Sequence, residues 1–136
     1  MSAVPPKNGP VADAFRRHWR FYRTEGGADT VVRELDALDA EHAAALIAEM
    51  RIIARSGLRD GGARHLRGPI WEVRADSVEV TLRALFAKQG RYGQVLLALH
   101  VFTKKTPRTP PAAIELAERR LRDWTHRGRS KRTRPS

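Results

Sequence analysis

A chain of 136 residues has room for one domain with a modest core. Twenty-six Lys and Arg against fifteen Asp and Glu give a net charge of +11 and a pI near 11.3, which points to a polyanionic partner. The absence of cysteine excludes a disulfide framework, thiolate chemistry and a zinc ribbon. No apolar run is long enough to span a bilayer or resembles a signal peptide, so membrane insertion is not expected and a cytoplasmic location is.

The charge is uneven: residues 26–54 carry six acids and two bases, and residues 55–136 carry seven acids and nineteen bases. A neutral-to-acidic arm beside a basic body predicts a defined cationic face, the alternative being a solvated surface that only aids solubility.

Taken in order, residues 1–14 contain Pro and Gly, lack periodicity and read as a flexible extension, leaving a folded domain over 15–127. Residues 17–24 (RHWRFYRT) alternate bulky and basic groups and predict a strand, broken at Gly26-Gly27. Two helices follow. Val31, Val32, Leu35 and Leu38 share one helical face, as do Ala43, Leu46, Ile47, Met50, Ile53 and Ala54. A turn near Asp39 joins them, and Gly57 closes the second as a C-cap. Residues 58–68, rich in Gly and Arg, predict a loop that is mobile around Gly61-Gly62.

Three strands come next. Trp71 and Val73 alternate with Glu72 and Arg74, and Val78, Val80, Leu82, Ala84 and Phe86 alternate with Glu79, Thr81 and Arg83. Residues 95–102 are almost continuously apolar, like a central strand covered on both faces, and lead into Thr103-Lys104-Lys105. Residues 89–93 make the hairpin turn, with Tyr92 facing solvent. Thr109 and Pro110 then start a helix whose seam is Ile114, Ala117, Leu121 and Trp124. Residues 128–136 (GRSKRTRPS) read as a basic, disordered tail. The order β-α-α-β-β-β-α predicts an α+β, two-layer fold. Its sheet is antiparallel, with the first strand at an edge and the helices on one face.

The segments Leu66-Arg67-Gly68-Pro69-Ile70-Trp71-Glu72-Val73-Arg74, Thr81-Leu82-Arg83-Ala84-Leu85 and His100-Val101-Phe102-Thr103-Lys104-Lys105-Thr106-Pro107-Arg108-Thr109-Pro110 stand in a fixed order. Together they resemble the RelE/ParE superfamily of bacterial toxins, most closely its phage-type, HigB-like branch. The resemblance covers roughly residues 17–126. It departs at Leu82, where the family often has Tyr before the arginine.

The resemblance implies a RelE-like fold and the toxin of a type II toxin-antitoxin system. The activity it implies is a ribosome-dependent endoribonuclease, an mRNA interferase, that needs no metal or other cofactor. The ribose 2′-hydroxyl attacks the adjacent phosphate and the 5′-oxygen leaves. The implied partners are the ribosome, mRNA and a cognate antitoxin, often of helix-turn-helix type, for which the first helix pair is the expected docking site.

That chemistry needs a base, an acid, and cations to stabilise the phosphorane. Arg83 matches the arginine of the family's second segment, and a guanidinium grips two phosphate oxygens at once. The bland alternative for Arg83 is a cross-strand pair with Glu72 or Glu79. Arg74, Lys104 and Lys105 complete the candidate catalytic set. Alternation sends the two lysines to opposite sides and does not choose between them.

Arg64, His65, Arg67 and Arg108 are the candidates for RNA contact. Glu72 and His100 are candidate acid or base groups, although a histidine in an apolar strand is more often a hydrogen-bonded core or edge residue. Trp71 shares parity with Val73 and reads as core. Asp and Glu show no ligand spacing, so no metal is expected. Two rival readings share the charge: a ParE-like gyrase inhibitor without nuclease activity, and a non-enzymatic RNA-binding module.

Overall fold

A computed structural model describes residues 16–133, with side chains to residue 128; the expected N-terminal extension lies outside the described residues. Its elements are β1 (His18–Phe21), α1 (Thr30–Asp36), α2 (Ala40–Ser56), β2 (Arg64–Arg67), β3 (Ile70–Asp76), β4 (Thr81–Gln89), β5 (Val95–Lys104) and α3 (Pro111–Thr133). The class is α+β, built on one five-stranded sheet of order β1-β5-β4-β3-β2.

α2 forms because its Ala-rich stretch lacks Gly and Pro and carries Leu46, Met50 and Ile53 on one buried seam. Each such side chain stabilises the fold by about 1.5–3 kcal/mol when taken out of water. Gly57, at φ 94°, ends the helix and donates its N–H to Ile53. The following residues are not an open loop. Gly61, Gly62 and Ala63 donate back to Gly57, Arg59 and Leu58, and a Cβ on Gly61 would lie 2.9 Å from the Ile53 Cα. This folded turn feeds β2, a strand that the short polar segment RHLR did not reveal.

Two further details differ from expectation. β1 does lie at an edge, but it runs parallel to β5, so the sheet is mixed. The helices also cover both faces. Trp19 and Arg20 point to opposite sides of β1; Trp19 donates to the Met50 carbonyl of α2, while Arg20 lies over the Trp124 ring of α3. The signal was present in the sequence: residues 82–87 and 96–99 are buried without alternation, which requires both faces to be covered.

The register places the side chains. Arg83 sits opposite Arg74 on β3 and Phe102 on β5, and Thr81 sits opposite Lys104. Leu85 pairs with His100 but Phe86 pairs with Ala98, so Leu99 is an extra residue and β5 carries a bulge. The bulge reverses the alternation of β5. His100, Phe102 and Lys104 therefore share the α3 face with Arg83, Arg74 and Glu72, while Leu96 and Ala98 share the α2 face with Trp71 and Phe86.

α3 starts at Pro111, where a missing N–H costs nothing. Its first carbonyl partner is Pro110, and the Thr109 hydroxyl serves the sheet rather than a cap. The helix continues through Gly128 to Thr133, so the tail expected to be disordered is helical up to that residue, and 134–136 lie outside the described residues. Among the described residues no helix is long and apolar enough to cross a membrane.

Candidate functional site

The α3 face of the sheet gathers three arginines from three strands. Arg64 pairs with Glu72 across β2 and β3, and Arg74 pairs with Arg83 across β3 and β4. Arg83 is fully buried, the largest such side chain among the described residues. Its guanidinium donates to the Thr106 carbonyl and to the Thr109 hydroxyl, and lies 3.9 Å from the Glu72 carboxylate. Its Nε has no hydrogen-bond partner. Burial, reinforced by the Arg74 cation, lowers the Arg83 pKa against the pull of Glu72.

Glu72 is 1 % exposed and fully engaged. It accepts from Arg74 Nε at 2.5 Å and from the Thr109 hydroxyl. Arg74 also donates to the Pro107 carbonyl. The carboxylate and the two guanidiniums thus hold residues 106–109 down on the sheet. From sequence alone, Arg83 is expected to face a substrate phosphate and Glu72 is a candidate base. In the structure both lie beneath this segment, and neither presents an atom to solvent, because an arginine inside an apolar strand is compensated by the nearest carboxylate and carbonyls.

The exposed cations surround that buried group. Lys104 lies on the Arg83 face by register, two pairs beyond Phe102. Lys105 and Arg108 are exposed in the segment after β5, and Arg64 is exposed on β2. Arg74 keeps 22 % of its side chain accessible. Arg67 is spoken for: it makes two hydrogen bonds to Glu118 of α3, which raise its pKa and lower that of Glu118. His65 points to the other face, opposite Trp71, with its Nε2 2.7 Å from the Gly68 carbonyl.

His100 belongs to a clip on the sheet edge. β1 ends at Phe21, leaving the outer edge of β5 bare from Leu99 onward. There Glu34 of α1 accepts from the Val101 N–H at 2.9 Å and from His100 Nδ1 at 3.0 Å, and Arg120 of α3 donates to the Leu99 carbonyl and pairs with Glu34. Burial raises the Glu34 pKa, but the hydrogen bonds from His100 and Val101 outweigh it, and the net direction is down. His100 is thus an edge residue with a carboxylate partner.

Sequence reasoning missed Thr109, Glu34 and the cations Arg59 and Lys88. The first two act through tertiary contacts with no local pattern. Arg59 and Lys88 both lie over the Trp71 ring, at 5.1 and 5.7 Å from its centre, brought together by the sheet and the turn after α2. Among the described residues no group of three or more His, Cys, Asp or Glu is placed to hold a metal ion.

Comparison with known proteins places the chain in a family. Residues 33–122 match the family described as phage-derived Gp49-like proteins. Two curated relatives, both named "Probable endoribonuclease HigB1", come from Mycobacterium tuberculosis strains CDC 1551 / Oshkosh and ATCC 25618 / H37Rv. Each is 34 % identical to this chain over 107 residues, covering 78 % of this chain and 83 % of the relative. The matched span contains the whole of the sheet from β2 to β5 together with the Arg83 cluster, and on that basis the chain belongs to the phage-derived Gp49-like family of HigB-type toxins within the RelE/ParE superfamily.

Proposed function

We propose that this protein is an endoribonuclease toxin that cleaves mRNA on the ribosome and is neutralised by a cognate antitoxin. The observation that carries the reading is the assembly of Arg64, Arg74 and Lys104 from three different strands on one sheet face, around a buried arginine–glutamate cluster. The name of the relatives supplies the reaction class.

Attack of a 2′-hydroxyl on the adjacent phosphate transfers its proton to a base, forms the O2′–P bond and breaks the P–O5′ bond. It leaves a 2′,3′-cyclic phosphate and a protonated 5′-oxygen. The intermediate phosphorane gathers negative charge, and fixed cations close to it lower the barrier. Lys104 and Arg64 are accessible and on the correct face; Arg108 and Lys105 lie in the adjoining segment. Arg83 acts as a positioning residue. Through Thr106 and Thr109 it fixes the segment that carries Lys105 and Arg108. The α1–α2 pair remains the proposed antitoxin dock.

Wild-type protein and Lys104→Ala, added to a translating extract with primer extension of the mRNA, test this. Ribosome-dependent cuts by the wild type, reduced by roughly 10²-fold in the variant, are the expected result. Growth arrest without cuts by either protein would replace this reading with a gyrase-type inhibitor.

A further inference from the structure

The face opposite the Arg83 cluster carries a second cationic site. Two adjoining clefts, of about 420 and 310 Å³, share Arg59, Trp71 and Lys88. Arg17, Gly57, Leu58 and Asp60 complete one, and His65, Gly68 and Pro69 the other. Three permanent cations face a single carboxylate, a balance of +2 with His65 neutral.

What holds these cations in place differs from what holds the carboxylate-paired arginines. Arg67, Arg74, Arg120 and Arg127 each contact a carboxylate, which neutralises them as it orients them. Arg59 and Lys88 have no ion pair among the described residues; the Trp71 ring orients them instead. The ring attracts a cation by its quadrupole and leaves the full charge available to a third group. Trp71 is itself fixed, being 9 % exposed and tilted against the His65 ring at 5.2 Å. Arg17 is fixed by donating Nε to the Gly93 carbonyl. The turn of residues 57–63, tied by its three backbone hydrogen bonds, fixes the backbone of Arg59. The result is an ordered, un-neutralised set of cations beside an open trough.

We infer that this Arg17–Arg59–Lys88–Trp71 trough is a second RNA site that grips backbone phosphates away from the cleavage face. It rests on the ribonuclease reading for its choice of RNA, and adds a separate anchoring point. Lys88 lies five residues from Arg83 along β4 and on the other side of the sheet, about 17 Å away along the strand. No phosphodiester held here reaches Lys104. The trough therefore binds without cutting, and contributes affinity that falls steeply with salt.

The test uses the full chain and RNA methylated at every 2′-oxygen, which keeps its phosphates and cannot be cleaved. Two probes are titrated across a salt series: a single-stranded oligonucleotide and a hairpin of the same composition. The variant is Arg59→Gln with Lys88→Gln. The control is Arg33→Gln with Arg51→Gln, which removes the same charge from exposed positions on α1 and α2. Loss of two phosphate contacts lowers the slope of log K against log salt by about 1.4 for a single strand.

A lowered slope in the trough variant but not the control supports the site. If it appears on the oligonucleotide, an unpaired strand lies there; if on the hairpin, a folded RNA does. Equal slopes for both variants on both probes, with native circular dichroism, overturn the site. Cleavage assays stand apart: absence of cuts by the wild type would remove the ribonuclease reading and leave the binding result to be judged alone.

Discussion

Arg83 and Arg59 are two arginines of one strongly basic chain, and the fold treats them in opposite ways. Arg83 is enclosed by Glu72, Thr106 and Thr109 and has no accessible surface. Arg59 is exposed, rests on an aromatic ring and has no ion pair among the described residues. The first is committed to the protein's own architecture; the second keeps its charge for a ligand. Formal charge counts both equally. Physical availability depends on what orients the cation: a carboxylate removes the field it would present to RNA, and an aromatic face does not.

The largest effect that tests this contrast is on stability. Arg83→Ala leaves Glu72 buried with Arg74 and Thr109 as its remaining partners. A loss of about 3 kcal/mol is expected, the lower end for breaking a buried ion pair, read from urea unfolding. Arg59→Ala should fall within about 0.5 kcal/mol of wild type, as surface substitutions do. Equal unfolding midpoints for the two variants would dissolve the distinction. Loss of cleavage in Arg83→Ala is consequently ambiguous unless the variant is shown to be folded, and Lys104→Ala is the cleaner probe.

Much of this architecture was legible in the sequence, for definite reasons. The 3.6-residue spacing of Leu46, Met50 and Ile53 fixed the buried side of α2, and alternation fixed the core side of β3. Alternation along β5 gives Lys104 the parity of Phe102 and His100. That this parity coincides with Arg83 depends on the bulge at Leu99, which no local pattern announces. The parallel pairing of β1 is likewise a long-range event. The burial of Arg83 had a visible sign, since LRALFA is an apolar run with one cation inside it, but its roof of residues 106–109 is set by the path of the chain after β5. The Trp71 trough had no sign at all. Its residues are widely separated in the sequence and meet only through the sheet and the turn after α2.

A smaller effect extends the same contrast to an anion. Glu34 is half-buried and serves Val101, His100 and Arg120 together. Its folded pKa is lower than its unfolded one, so its contribution to stability is fully present above the unfolded value and is lost as pH falls through the folded value. Glu34→Gln should cost about 1–2 kcal/mol at neutral pH. It should also flatten the fall in stability as the pH drops below the ordinary carboxylate value of 4.5. An unchanged acid limb in the variant would mean that Glu34 is not what secures the bare edge of β5.

The smallest effect concerns Arg67, where the sequence suggested RNA contact and the structure shows a bidentate pair with Glu118 on the surface. An exposed pair of this kind contributes about 0–1 kcal/mol, and a double-mutant cycle of Arg67→Ala and Glu118→Ala should return a value in that range. Its information lies in the RNA measurement. If a carboxylate partner neutralises a cation, Arg67→Ala leaves the salt slope of RNA binding unchanged. Glu118→Ala, by freeing Arg67, steepens it by up to about 0.7 for a single strand. If Arg67→Ala alone lowers the slope as far as loss of a trough cation does, the carboxylate does not withhold the charge. The rule that separates Arg59 from the paired arginines then fails with it.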